Sequence, residues 1–204
     1  MITYPLTAAQ KNIFSLAQFY KGTSICNIGG IINFEMDSLN YDIINRGINE
    51  LISSMDAFRI RIIQSNDSIE QYFAEYEYQN IPYTDMRGKV SEDFDFLTES
   101  ILQKEFDLFE SALYRFNVLQ TDNGWAVIAV MHHLIADAWS FNLIAEKGLD
   151  YFTQILLGDA TEIKSGSYIE HITQELKHYE SKKYARDKEF WQSLYADITT
   201  FSKI

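Results

Sequence analysis

The segment Trp125-Ala-Val-Ile-Ala-Val-Met131 carries no charge and is rich in β-branched and aromatic residues, so it reads as a strand buried on both faces. Tyr114 to Gln120 reads as a strand before it, and Asp122-Asn123-Gly124 supplies the positive-φ residues of a tight turn between them. The two strands therefore pair as a hairpin. At its far end stand His132 and His133, followed by Asp137 and by an apolar-periodic helix from about Trp139 to Leu157. An imidazole pair between a buried strand and a helix is where a scaffold can present a base to a cleft. Adjacent strand residues face opposite ways, so at most one of the two can serve a given site.

The remaining elements surround this hairpin. Thr7 with Gln10 three residues on fits a capping box for a helix to about Tyr20. Ile25 to Met36 reads as a strand broken by Gly29-Gly30, and Asp37-Ser-Leu-Asn40 offers caps for a helix from Tyr41 to Met55. Phe58 to Ile63 and Ile69 to Tyr78 alternate around Ser65-Asn-Asp-Ser68 and form a second hairpin. Ser91 to Phe106 reads as a helix, Gly158 to Gly166 as a polar loop, and Tyr168 to about Leu194 as one long charged helix. The order predicts mixed α and β structure around one sheet.

A chain of 204 residues is long enough for one sizeable core or two small lobes. Its net charge of -12 argues against nucleic acid and anionic membrane surfaces as partners, since both need basic patches. The single cysteine, Cys26, excludes an internal disulfide framework and fits a reducing compartment. The N-terminus lacks the pattern of a signal peptide and no run reaches the length of a membrane span, so a cytoplasmic location is expected.

The histidine pair admits a structural reading, with both rings satisfied in the core, beside a chemical one. A zinc site would need more ligands at regular spacing, and only His171 and His178 remain, far along the chain. Asp137 fits the N-cap of the following helix, a role compatible with holding a functional loop. No Gly-x-Ser-x-Gly elbow occurs, Cys26 has no local motif, and Gly29-Gly30 lacks the other glycines of a nucleotide fingerprint. Acyl transfer without a covalent enzyme intermediate survives, one histidine assisting a nucleophile that the substrate carries.

His132-His133-Leu-Ile-Ala-Asp137-Ala138 resembles the HHxxxDG signature of the condensation domains of non-ribosomal peptide synthetases, with Ala in place of the final Gly. Four further stretches agree in order and spacing: Leu6 to Gln10, Met55-Asp-Ala-Phe-Arg59, Phe106-Asp-Leu108 with Leu113 and Arg115, and Tyr168 to Trp191. The resemblance implies a chloramphenicol acetyltransferase-like α/β (α+β) sandwich, a mixed sheet packed with helices, with two lobes and a cleft between them. Residues 1–204 are then expected to form the N-terminal lobe, excised or naturally truncated, with the inter-lobe connection starting near 195–204 and the C-terminal lobe absent.

The resemblance also implies a reaction. Donor acyl or peptidyl and acceptor aminoacyl groups arrive as thioesters on the phosphopantetheine arms of two peptidyl carrier proteins, and the acceptor amine attacks the donor to form an amide. His133 is the implied base or amine-positioning group. His132 is implied to be structural, and Asp137 to pair with Arg59 and hold the loop, so that Asp137→Ala would break a buried pair. No cofactor or metal is bound directly, and the remaining partners are the C-terminal lobe and neighbouring synthetase domains. Ala138 is expected at negative φ, as a first-turn residue capped by Asp137. The isolated lobe is expected to be inactive. A starter condensation domain using a fatty acid, an epimerisation domain, or a non-catalytic carrier-protein docking module are alternatives. For docking, Lys182, Lys183, Arg186 and Lys188 offer a basic patch whose plain reading is a solvated helix face.

Overall fold

Fourteen elements follow one another in the computed structural model, which describes residues 1–35, 38–66, 68–158 and 166–196. They begin with β1 (Tyr4–Pro5), α1 (Ala8–Phe19), β2 (Asn27–Phe34), α2 (Tyr41–Ser54) and α3 (Asp56–Arg59). The middle of the chain holds β3 (Ile60–Ser65), β4 (Ser68–Phe73), β5 (Tyr83–Asp85) and α4 (Ser91–Leu102). After these come β6 (Tyr114–Thr121), β7 (Gly124–His132), α5 (Ala138–Leu157), α6 (Tyr168–Tyr179) and α7 (Lys182–Leu194). No described helix is long and apolar enough to cross a membrane.

Two sheets form where the sequence suggested one. The larger runs β2-β7-β6-β5, and the smaller runs β1-β4-β3. In the larger sheet β7 lies between β2 and β6, antiparallel to both, while the short β5 joins the far side of β6 in parallel. Residues Ala126 to His132 of β7 are all buried, as its uncharged composition requires. The two-residue β1 and the three-residue β5 carry too few side chains to show a period, which is why pattern alone did not reveal them. At the β6–β7 turn only Gly124 has positive φ, at 128°, so the expectation for Asp122 and Asn123 does not hold.

Gly29 and Gly30 do not break β2, which pairs with β7 through both. A Cβ at Gly29 would lie 2.7 Å from a Leu102 methyl and 2.9 Å from the Ala129 carbonyl oxygen. Glycine there lets α4 approach the sheet closely. On the other side α2 packs against α5, where a Cβ at Gly47 would stand 2.2 Å from the Phe152 ring. Ile44, Ile48, Leu51, Phe58, Phe116, Val127, Ile144 and Phe152 fill the core beneath.

The second hairpin ends at Phe73 and not at Tyr78. Beyond it the chain runs alongside α2, whose buried Asn45 and Asn49 take over the backbone pairing. Asn49 accepts from the Gln79 amide at 2.9 Å and donates to its carbonyl at 2.8 Å, while Asn45 accepts from the Ile81 amide at 2.9 Å. Helix α4 likewise stops at Leu102, short of Phe106, because side chains claim its last carbonyls. Arg115 donates to Ile101 and Asn27 to Leu102, at 2.9 and 2.8 Å.

By contact the chain divides into Met1–Gly166 and Ser167–Ile204. In the second unit the single long helix expected from Tyr168 is two helices. Ser181 caps the second by accepting from the Tyr184 amide at 3.1 Å, and the Tyr179 and Tyr184 rings meet edge-on at 5.1 Å across the break. The proposed caps at Asp37, the turn residue Asp67, most of the Gly158–Gly166 loop and the inter-lobe connection at 197–204 lie outside the described residues.

Candidate active site

His132 closes β7, and His133 is the first residue beyond it. His132 is 4% exposed and His133 is half-buried, so the pair does divide between the interior and a more open side. The backbone around them is gripped closely. The His132 amide donates to the Leu113 carbonyl and the His133 amide to the Cys26 carbonyl, both at 2.8 Å. The next amide, that of Leu134, turns back and donates to Nδ1 of His132 at 3.1 Å. Ile135 then donates to the His132 carbonyl at 3.0 Å and completes the turn.

A neutral imidazole that accepts at Nδ1 carries its proton on Nε2. Burial, with the neighbouring His133 charge adding to it, pushes the His132 pKa down to about 4. His132 is therefore a neutral ring near pH 7, set edge-on to Phe106 with the ring centres 6.1 Å apart. Phe106 in turn carries the Arg115 guanidinium 3.8 Å above its ring. Arg115 also donates to the carbonyls of Ile101, Lys104 and Glu105, so one cation ties the end of α4 to the wall behind His132. Burial lowers the Arg115 pKa from its ordinary value.

Asp137 is the N-cap of α5, as its position in the sequence suggested. One carboxylate oxygen accepts from the Ser140 amide at 2.7 Å and from the Ser140 hydroxyl at 2.6 Å. These two bonds, helped by the charge of His133, hold its pKa below the usual carboxylate range. Ala138 is the first residue of α5 and is not among the residues with positive φ, in agreement with expectation. Its neighbour Trp139 is 79% exposed.

The expected Arg59–Asp137 pair does not form. Arg59 donates instead to Asp56 three residues earlier in α3, and Asp137 is exposed and turned to its own helix. The short helix decides this outcome, because it places Asp56 and Arg59 one turn apart on one face.

A cleft of about 380 Å³ opens beside the pair. Its walls include Tyr20, Ile25, Cys26, Glu105, Phe106 and His132, but not His133. The Cys26 thiol is buried there with its pKa raised by that burial, which fits the role of a small hydrophobe. His171 and His178 belong to α6 in the second unit. Of the basic residues on α7, Arg186 pairs with Asp187 at 3.5 Å.

A buried strand that ends in two histidines, a capped helix beginning five residues later and a mixed sheet covered by helices define a class. Residues 2–202 match the Condensation domain family, and the chain belongs to it. Among curated proteins it is similar to surfactin synthase subunit 1 of Bacillus subtilis (strain 168), at 31% identity over 206 residues covering 96% of this chain and 6% of that protein. Bacitracin synthase 1 of Bacillus licheniformis is 26% identical over 173 residues, covering 81% and 3% respectively. The starter condensation domain of the rhizomide synthetase RzmA superposes with a TM-score of 0.88 at 20% identity, over 98% of this chain and 49% of that one. The first condensation domain of the calcium-dependent antibiotic synthetase gives 0.81 at 14% identity, over 97% and 48%. The chain thus has the condensation-domain fold and spans about half of these solved domains and a small part of the curated synthases.

Proposed function

We propose that the chain is the N-terminal lobe of a condensation domain of a non-ribosomal peptide synthetase working in the cytoplasm, and that the complete domain joins two carrier-bound thioesters. The α-amine of the acceptor aminoacyl group attacks the donor carbonyl. A C–N bond forms, the C–S bond breaks, and the proton lost by the amine ends on the released pantetheine thiol. With a pKa of about 8, an α-amine is largely protonated at neutral pH and gains from a nearby acceptor. His133 takes that role or holds the amine in line, and the phosphopantetheine arms come with the carrier proteins. His132, Asp137 and Ala138 support the loop, and Arg59 supports α3.

The observation that carries this reading is the placement of His133. It is the half-buried member of the pair, its amide is fixed to Cys26, and the loop that follows is capped by Asp137. The family match over residues 2–202 supports it, and coverage of 49% of the RzmA domain supports assignment to one lobe of two.

The test uses the complete condensation domain with donor- and acceptor-loaded carrier proteins, reading amide product by mass spectrometry. His133→Ala is expected to lower the rate by about 100-fold or more. Unchanged product formation overturns the role given to His133, and a wild-type domain that forms no amide favours a docking module. A fatty-acyl donor accepted in place of an aminoacyl one assigns the starter subtype, and product from residues 1–204 alone refutes the requirement for a second lobe.

A further inference from the structure

Two buried glutamines stand behind the histidine loop, and the reaction outlined above gives them no part. Gln10 is the third residue of α1 and is 3% exposed, and Gln71 lies in the middle strand of the smaller sheet at 0%. Their amides pair reciprocally. Gln10 Nε2 donates to Gln71 Oε1 at 2.9 Å, and Gln71 Nε2 donates to Gln10 Oε1 at 2.8 Å.

Backbone groups at the ends fix which way each amide points. The Thr7 amide donates to Gln10 Oε1 at 3.0 Å, so that atom must be the acceptor, and Gln10 Nε2 is left facing the Leu134 carbonyl at 3.2 Å. Gln71 Nε2 donates its second proton to the Pro5 carbonyl at 3.0 Å. All four amide protons of the pair are used, and turning either group over would set donor against donor. A fully satisfied buried network of this kind holds one geometry.

Leu134 follows His133 directly. Its amide is held by His132 Nδ1, its carbonyl by Gln10, and the His133 amide by Cys26. The peptide units on both sides of the His133 Cα are therefore anchored, and the Leu134 carbonyl just beyond them is anchored from α1, which Gln71 ties to the smaller sheet. We infer that Gln10 and Gln71 are positioning residues for His133, acting through the Leu134 carbonyl. The inference rests on the proposed role of His133 in amide formation. A shift of about 1 Å in a reacting group can cost about 100-fold in rate, so the Leu134 carbonyl anchor, added to the bonds that hold the His133 and Leu134 amides, bears on the chemistry.

The experiment uses the complete condensation domain with two variants. Gln10→Glu replaces Nε2 by oxygen and sets an acceptor against the Leu134 carbonyl, yet keeps the acceptor for the Thr7 amide, since Glu serves in a capping box as well as Gln. Gln71→Met removes the partner amide at similar volume. Ile48→Val, in the core of α2, controls for lost stability. Ring-labelled histidine NMR can follow His133, its signal assigned as the one lost in His133→Ala.

Both glutamine variants are expected to lower kcat by about tenfold with KM within about twofold, and to shift or broaden the His133 ring signal, while Ile48→Val does neither. An unmoved His133 signal with kcat within about twofold of wild type overturns the inference, as does a fall in kcat that Ile48→Val matches. A wild-type domain that forms no amide defeats the proposed function instead, and the ring signal alone then decides the positioning role. If Gln71→Met does not fold, Gln10→Glu decides by the same readings.

Discussion

Nδ1 of His132 accepts the Leu134 amide at 3.1 Å, so the inner histidine closes a turn with its neutral ring. Protonation would turn that acceptor into a donor and set it against the amide.

The pH dependence follows from this contact. Burial and the adjacent His133 lower the His132 pKa to about 4 from an ordinary 6.5. The unfolded chain binds this proton first as pH falls. The stabilisation is therefore complete above pH 6.5, declines between about 6.5 and 4, and is gone below that, for a total of about 3 kcal/mol. Urea unfolding across this range should show the slope, and His132→Asn, which offers Oδ1 to the Leu134 amide, should remove it. A slope that persists in the variant assigns it to other groups.

Asp137→Ala should cost about 1 kcal/mol, the ordinary loss of a helix cap, and not the about 3 to 5 kcal/mol of a broken buried ion pair. Asp137→Ser should recover most of it. A double-mutant cycle between Asp137 and Arg59 should give a coupling energy below about 0.5 kcal/mol. Coupling of several kcal/mol would show that the two residues pair after all.

Arg115→Lys keeps the charge but cannot span three carbonyls and stack on Phe106 together. A loss of about 2 kcal/mol is expected, with faster amide exchange concentrated in residues 101–106. Exchange that rises evenly over the whole unit would contradict a local brace.

Gly47→Ala improves helix propensity by about 1 kcal/mol yet drives a methyl into the Phe152 ring, a clash of about 1 to 3 kcal/mol. Calorimetry should find it destabilised, and Gly47→Ala combined with Phe152→Leu should recover more than additivity predicts.

Much of the scaffold is written in local pattern. The uncharged run of β7, the Thr7–Gln10 box and the Asp137 cap each declare themselves within a few residues, and each is found in place. Features resting on distant partners do not. Nothing near Gln71 in the sequence marks it as the mate of Gln10, 61 residues away. Asn45 and Asn49 look like solvent-facing helix residues until the segment they bind is seen beside them. Arg59 pairs with Asp56 and not with Asp137 because a partner one helical turn away outcompetes one that must be brought from afar. Ser181 was hidden inside a helical pattern that continues on both sides of it.

The bond from His133 to Cys26 runs through main-chain atoms, as does the bond from His132 to Leu113. Main-chain atoms are common to every amino acid, so replacing Cys26 or Leu113 with residues of similar bulk leaves both fastenings intact. Such a loop can keep its shape while the surrounding sequence turns over, and the retained architecture at 20% identity to the RzmA domain is the kind of history this freedom allows.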